Sequence, residues 1–521
     1  MKENYKLFLI CTIFFISAFV VLGFNLSEQG IFIDEVFHHT FGLLWYDYVI
    51  SGDFQNPCIT GLGNCEMYVM KCGDGYLEIS TGGIIKGVFT GLGDEIFSET
   101  ERIYYGNLEP CRPIHNNIAV SGENIPSSNE LGAARFFFPI FASLSIVTSF
   151  LIGRTLFSNL VGIVFGSVLL FHSLFMLYSR IIESEIFLIF FVSLSILLIL
   201  KSFKEPNKTK FKYLILSGVT FALAINVKLT AIEIFPLLLV IIFWRSGLNE
   251  KFSLLKIKQK KFLSKSIVLI TMFLVVVFSS LIATNPYYYP NPIEQIEGQY
   301  DALQTFKSNY ESSHPPWSTI QKLYMPFLGT TSVTLVPLID TYYYIFDAEN
   351  IPESASIGHT FTSVPVSILF LIGIFYLINQ IKARKLKFSE FIILAWFVSL
   401  FITISLGSDS YNFTKYYVLM ILPITLIMSY GFIKFSNKIS KNTIRIVFFV
   451  TTISAHAVTY LVFWENIYFN SEKIWRLPYE INFQKSISEP ITLISSLIFV
   501  LVFLIIVGIK LKSRYAHIKE N

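Results

Sequence analysis

Apolar runs close to the length of a bilayer crossing recur from one end of this chain to the other, and that recurrence excludes most soluble folds. A helix needs about 20 mostly apolar residues to cross hydrocarbon, where its backbone must satisfy its own hydrogen bonds. Such runs predict spans at 7–24, 133–152, 159–177, 184–200, 211–227, 229–244, 265–283, 362–380, 389–406, 416–433, 444–463 and 491–509. The fold class expected is therefore an all-α polytopic membrane protein of about twelve transmembrane helices with two large outer loops. Composition agrees, with 53% of 521 residues hydrophobic, 15% charged and a mean hydropathy of +0.59. Only Lys228 separates the fifth and sixth runs, and a kink or re-entrant arrangement there would change the count. The first run is long and Phe/Ile-rich and lacks a small-residue cleavage site, so it is expected to stay as a helix. No internal repeat or low-complexity tract is evident.

Charge fixes the expected orientation, because Lys and Arg concentrate on cytoplasmic loops. With the N-terminus inside, the inner side carries 27 Lys and Arg against 5 Asp and Glu. The outer side, counting intramembrane Glu233 there, carries 13 against 31. The net +4 thus hides a strong segregation and gives no support for nucleic-acid binding. Both termini are expected in the cytoplasm, and the chain divides into 1–24, a large outer loop 25–132, membrane core helices 133–283, a second outer loop 284–361, and C-terminal helices 362–521. The basic inner stretch 245–265, from Arg245 to Lys265, reads as a topology determinant near anionic headgroups. The Ile/Lys/Asn/Phe-rich composition suits a prokaryotic cell membrane.

Four of the five cysteines, Cys58, Cys65, Cys72 and Cys111, fall in the first outer loop. On an oxidising face they suggest two disulfides, with three possible connectivities. The alternative is a four-thiolate metal site, although the spacing lacks the tight Cys pairs of common zinc sites.

Asp34 and Glu35 follow the first span directly. Adjacent acids on a loop often serve only solvation, but these precede Phe37, His38, His39, Phe41, Leu43, Leu44, Trp45, Tyr46 and Tyr48, which suggests an amphipathic segment along the interface. A second acidic group, with Arg180, Glu183 and Glu185, occupies a very short outer turn in SRIIESEIFLIFF (179–191). Ionisable residues beside hydrocarbon pair or face a wet cavity, so this is either an anchoring Arg180–Glu183 pair or part of a site. Lys228 and Lys415 are outer-facing lysines at helix ends, where they either snorkel to headgroups or, with Arg135 and Arg180, grip an outer-leaflet phosphate through charge-assisted hydrogen bonds.

These pieces resemble the protein O-mannosyltransferase and aminoarabinose-transferase group of C-type (GT-C) glycosyltransferases. The resemblance rests on FIDEVFHH (32–39), ELGAARFFFPIFASLSIVTSFLIGRTLF (130–157), SRIIESEIFLIFF (179–191), NVKLTA (226–231) and the segment from Lys415 to Pro423, in that order. It implies transfer of a sugar, mannose in the best-known case, from a polyprenyl (dolichyl) phosphate donor to an acceptor hydroxyl on the outer face. Protein Ser/Thr is the expected acceptor, with lipids or glycans as alternatives. It also implies that Asp34 acts on the acceptor with Glu35 as its neighbour, that Glu185 or Glu183 supplies a second acid, and that Lys228 and Lys415, with Arg135 as an alternative and Arg180 nearby, lie by the lipid phosphate. A carboxylate is a suitable base for a hydroxyl attacking the anomeric carbon, and cations suit the departing phosphate. No cofactor is implied, and the absence of a metal-binding Asp-X-Asp at Asp34 argues for a metal-independent, inverting displacement.

The first loop departs from the group's pattern, because the stretch comparable to its His-Pro-Pro segment is STGGIIKGVF (80–89), which keeps Lys86 only. ATNPYYYPNP (283–292) and SHPPWS (313–318) read as interfacial anchors and turns, or as acceptor-cleft residues Tyr287, His314 and Trp317 together with His38. Oligosaccharyltransferase catalytic subunits are the nearest rival class; LLWYDYV (43–49) is superficially similar to their signature but lies in the first loop. A transporter would place its ionisable residues at the midplane, whereas here they gather at outer helix ends, with Glu233 the main exception. Two sequons, at Asn25 and Asn412, lie close to the membrane.

Overall fold

The computed structural model describes residues 2–27, 31–54, 69–72, 75–79, 83–98, 126–204, 207–245, 260–289, 291–313, 364–407, 414–439, 442–468, 474–475, 494 and 497–508. Its helices are α1 (Lys2–Gly23), α2 (Ile33–Ser51), α3 (Gly83–Phe97), α4 (Ser128–Ala134), α5 (Phe137–Leu156), α6 (Asn159–Leu170), α7 (Ser173–Tyr178), α8 (Glu185–Lys204), α9 (Asn207–Val227), α10 (Phe235–Arg245), α11 (Lys260–Ala283), α12 (Pro292–Ser313), α13 (Val364–Lys382), α14 (Phe388–Gly407), α15 (Ile421–Ser436), α16 (Asn442–Tyr468) and α17 (Leu497–Gly508). Short 3-10 turns at Leu229–Ile234, Pro286–Tyr288 and Thr414–Met420 lead into helices or follow them. Strands are confined to a parallel pair, β1 (Ile31–Phe32) with β4 (Ile474–Trp475), and a hairpin, β2 (Val69–Cys72) with β3 (Gly75–Ile79), among the described residues.

Among the described residues, six helical stretches are long and apolar enough to cross a membrane, and six shorter apolar helices accompany them. This is a multi-pass membrane protein. The boundaries follow from local chemistry. Pro139, Pro236, Pro292, Pro365 and Pro423 all sit in a helix's first turn, where the missing N–H and fixed φ cost nothing. Ser127 and Glu130 form a capping box that starts α4, with Ser127 N donating to Glu130 Oε2 at 2.6 Å. The predicted run 159–177 is broken at Phe171–His172, so that α6 and α7 are separate helices.

α5, α8 and α15 form the buried centre, with Phe138, Phe187 and Ile427 wholly enclosed. α1 packs on α5, α9 on α8 and α11, and α13 on α15. The outward faces of α1, α11 and α13 are apolar, with Phe8, Val268, Val275, Leu371 and Phe375 exposed, as suits side chains meeting lipid. Helices approach closely where side chains are small or polar: Ser195 and Ser217 each donate to the other's carbonyl at 2.9 Å, locking α8 to α9. At Gly431 of α15 an added Cβ would lie 2.5 Å from the backbone nitrogen of Gly373 on α13, so this crossing requires glycine.

α2 and α3 lie side by side at one end of the bundle. They meet through a Gly-x-x-x-Gly pattern on α3, where a Cβ on Gly91 would fall 2.3 Å from the Tyr46 Cβ. α3 also rests on α4 and α9. The amphipathic segment expected after the first span is thus a helix folded back over the ends of the membrane helices.

Candidate active site

Four short elements converge at the α2 end: the first turn of α2, the α4–α5 junction, the 179–185 turn and the 3-10 turn beginning at Leu229. Glu35 and Arg135 join the first two. Arg135 is the residue at which α4 ends and α5 begins, and it is fully buried. Its Nε donates to Glu35 Oε1 at 2.8 Å, its Nη2 to Oε2 at 2.5 Å, and its Nη1 to the Leu26 carbonyl at 3.0 Å. Ile182 N also donates to Glu35 Oε1 at 2.8 Å. Such a two-pronged Arg–carboxylate pair is strongly orienting, and it fixes α2 against the bundle.

The 179–185 turn is the hub. Besides the Ile182 contact, Arg180 donates to the Leu22 carbonyl at 2.6 Å and the Asn25 carbonyl at 3.3 Å, where α1 ends and Asn25 takes a left-handed φ of 50°. The cation thereby caps orphan carbonyls at a helix C-terminus, the end that favours positive charge. Glu183 Oε2 lies 3.3 Å from His38 Nε2, whose Nδ1 is 2.7 Å from the buried Lys86 ammonium. An ammonium can only donate, so Nδ1 accepts and the ring proton falls to Nε2, facing Glu183. His39, one residue on, lies 3.8 Å from Asp94.

Glu185 opens α8 and is fully buried. It accepts a hydrogen bond from Lys228, and Ser184 Oγ is 3.5 Å from its other oxygen. Lys228 has an extended backbone, φ −160° and ψ 132°, between α9 and the 3-10 turn. The break expected from the lone lysine is real, and it lets the side chain reach α8. Beside it, Asn226 donates to Thr284 Oγ1 at 2.8 Å and accepts from Asn285 at 3.1 Å, tying α9 to the end of α11.

Asp34 occupies the first turn of α2, four residues before His38 in the helix; its side chain lies outside the described residues. Lys415 is in the Thr414–Met420 turn, which packs against α8 and α15, and its side chain also lies outside them. His314, Trp317, Cys58, Cys65 and Cys111 lie outside the described residues, as does the Cys72 side chain on β2. Tyr287 is buried with Tyr288 against Trp45 and Ile84, an aromatic anchor holding α2 and α3 to the end of α11. Farther along α2, burial and then the Asp53 and Asp47 carboxylates push the Tyr48 phenol above its ordinary range.

Residues 119–282 match the family model described as dolichyl-phosphate-mannose-protein mannosyltransferase. The matched stretch contains Arg135, Arg180, Glu183, Glu185 and Lys228. The match covers under a third of the 521 residues. Among solved structures, this chain is similar to ArnT from Cupriavidus metallidurans in the apo state, at 12% identity over 94% of this chain and 75% of that one, TM-score 0.48. The same protein bound to undecaprenyl phosphate gives 12% identity, 94% and 76% coverage and a TM-score of 0.46. The apo Archaeoglobus fulgidus oligosaccharyltransferase gives 12% identity and a TM-score of 0.46, with 92% of this chain spanning 56% of that one. No curated protein matches the sequence.

Sequence reasoning brought Glu35, Arg135, Arg180, Glu183, Glu185, Lys228 and His38 to notice, and all lie at this end. Apart from the Arg180–Glu183 alternative, it did not pair them. Asp94 escaped it altogether, while His39, Asn226 and Asn285 stood within quoted segments without a role of their own. Lys86, Thr90 and Asp94 recur every four residues in a mostly apolar helix, a polar stripe that the sequence itself displays.

Proposed function

We propose that this chain is a GT-C glycosyltransferase that moves a sugar, mannose, from a polyprenyl (dolichyl) phosphate donor to an acceptor hydroxyl of protein Ser/Thr on the outer face of the membrane. The family-model match over the segment bearing Glu185 and Lys228 carries this reading, through the family's description. The charge segregation supports an outward-facing site and cytoplasmic termini.

In this mechanism Asp34 accepts the hydroxyl proton as the acceptor oxygen bonds to the anomeric carbon. The bond from that carbon to the phosphate oxygen breaks in the same displacement, inverting the centre and releasing polyprenyl phosphate. Lys228 and Lys415 stabilise the departing charge. Arg135 and Arg180 are assigned to the scaffold instead, because their guanidiniums are engaged by Glu35 and by the carbonyls that end α1. Glu35 supports Asp34 by fixing the first turn of α2. The proposed displacement calls on no metal.

The test is transfer from a polyprenyl-phosphate sugar in membranes. Asp34→Asn is expected to keep expression and lose about 10³-fold in rate, within the range for a general base. Undiminished transfer removes Asp34 from the mechanism. Mass spectrometry of surface proteins and lipids with and without the gene identifies the acceptor; a sugar lost from lipid rather than from Ser/Thr overturns the protein-acceptor reading.

A further inference from the structure

We infer that Glu185 and the donor phosphate compete for the Lys228 ammonium, so that donor binding releases Glu185 to accept a hydrogen bond from a hydroxyl of the incoming substrates. The inference rests on the proposed role of Lys228 as a phosphate ligand and adds an order of binding to it.

Glu185 is wholly buried, and among the described residues its hydrogen-bond partners are Lys228 and, at 3.5 Å, Ser184 Oγ. Lys228 is the partly exposed member of the pair, at 18% of its side-chain surface against 0% for Glu185, so the ammonium is the end that an entering ligand can meet. Its backbone is held extended between two helices, and the flexible stem leaves the ammonium a choice of anions.

A phosphate that draws the ammonium away leaves a buried carboxylate with one long contact. The N-terminus of α8 helps hold its charge, but the emptied hydrogen-bonding capacity is costly unless a new donor fills it. Hydroxyls of the sugar or the acceptor are such donors. Glu185 is therefore masked before the lipid phosphate arrives and exposed afterwards, which delays acceptor engagement until a donor is seated.

The experiment measures binding of sugar-free polyprenyl phosphate to the full chain in lipid nanodiscs. Glu185→Gln is expected to tighten binding about tenfold, the equivalent of about 1.4 kcal/mol. Glu185→Asp, which keeps the charge but shortens the reach to Lys228, is expected to tighten it about threefold, and serves also if the Gln variant does not fold. Both should lower the donor KM while also lowering kcat, a split that loss of structure does not produce. Unchanged or weaker binding in both overturns the competition. Lys228→Met separates the premise: full retention of binding sinks the phosphate role of Lys228, whereas lost binding with no tightening at position 185 sinks the competition alone.

Discussion

Removing Arg135 should damage this protein more than removing both Arg135 and Glu35. In Arg135→Met the Glu35 carboxylate loses the two guanidinium donors and keeps the Ile182 N–H, and the Leu26 carbonyl loses its guanidinium. Both side chains are fully buried, so water cannot replace what is lost. Breaking a buried pair from one side costs about 3–5 kcal/mol, whereas exchanging both partners for apolar groups of similar size is often neutral. Glu35→Leu alone should cost a similar amount, and the combined Glu35→Leu/Arg135→Met variant about 0–2 kcal/mol. The coupling expected from the cycle is therefore at least about 3 kcal/mol. Unfolding in mixed micelles by increasing SDS, followed through tryptophan fluorescence, ranks the four proteins. A single variant within about 0.5 kcal/mol of wild type, the size of an ordinary surface change, would refute the reasoning. So would a double variant that loses the sum of the two singles, because the pair would then not be acting as a unit.

Two further outcomes follow from the same end of the molecule. Lys86→Met deprives His38 Nδ1 of its donor, and a loss of about 1–3 kcal/mol is expected, with Glu183→Leu adding little on top because both act through one imidazole; additive losses in thermal melts of the purified protein would contradict the linkage. Gly91→Leu drives a side chain into Tyr46, where even a Cβ would be 2.3 Å from its neighbour, so the α2–α3 pair should separate and the first loop become sensitive to limited proteolysis, at a cost of about 1–3 kcal/mol or more. An unchanged digestion pattern would mean that the helices do not pack through this glycine.

Much of the scaffold was readable in the chain because a membrane interior leaves few choices. Each expected apolar run carries a helix or a pair of short helices. The breaks were harder. Lys228 announced its own, since a lysine between two apolar runs must find either water or a partner. Phe171–His172 did not, because a histidine within an apolar run carries no local signal that tells a kink from a continuous turn. Tyr287 shows the reverse case: its Pro-aromatic setting left anchor and cleft open, and the fold adds its packing against Trp45.

The candidate site divides in the same way. Burial cost makes an ionisable residue near hydrocarbon conspicuous, so Glu35, Arg135, Arg180, Glu185 and Lys228 could be singled out one at a time. Partner choice depends on distances between residues 43 to 158 positions apart, and no local pattern encodes those. Arg135 and Arg180 were expected at the phosphate, and the fold instead engages one with Glu35 and the other with the end of α1.

By itself, then, the sequence determined that this chain crosses a membrane many times and that its ionisable groups gather at helix ends, because the free energy of exposing backbone or charge to hydrocarbon dominates every local alternative. Only the tertiary structure decided which cation meets which carboxylate. That choice belongs to the closeness of α2 to α3, the capping of α4 and the extended backbone at Lys228, which bring distant residues within hydrogen-bond reach.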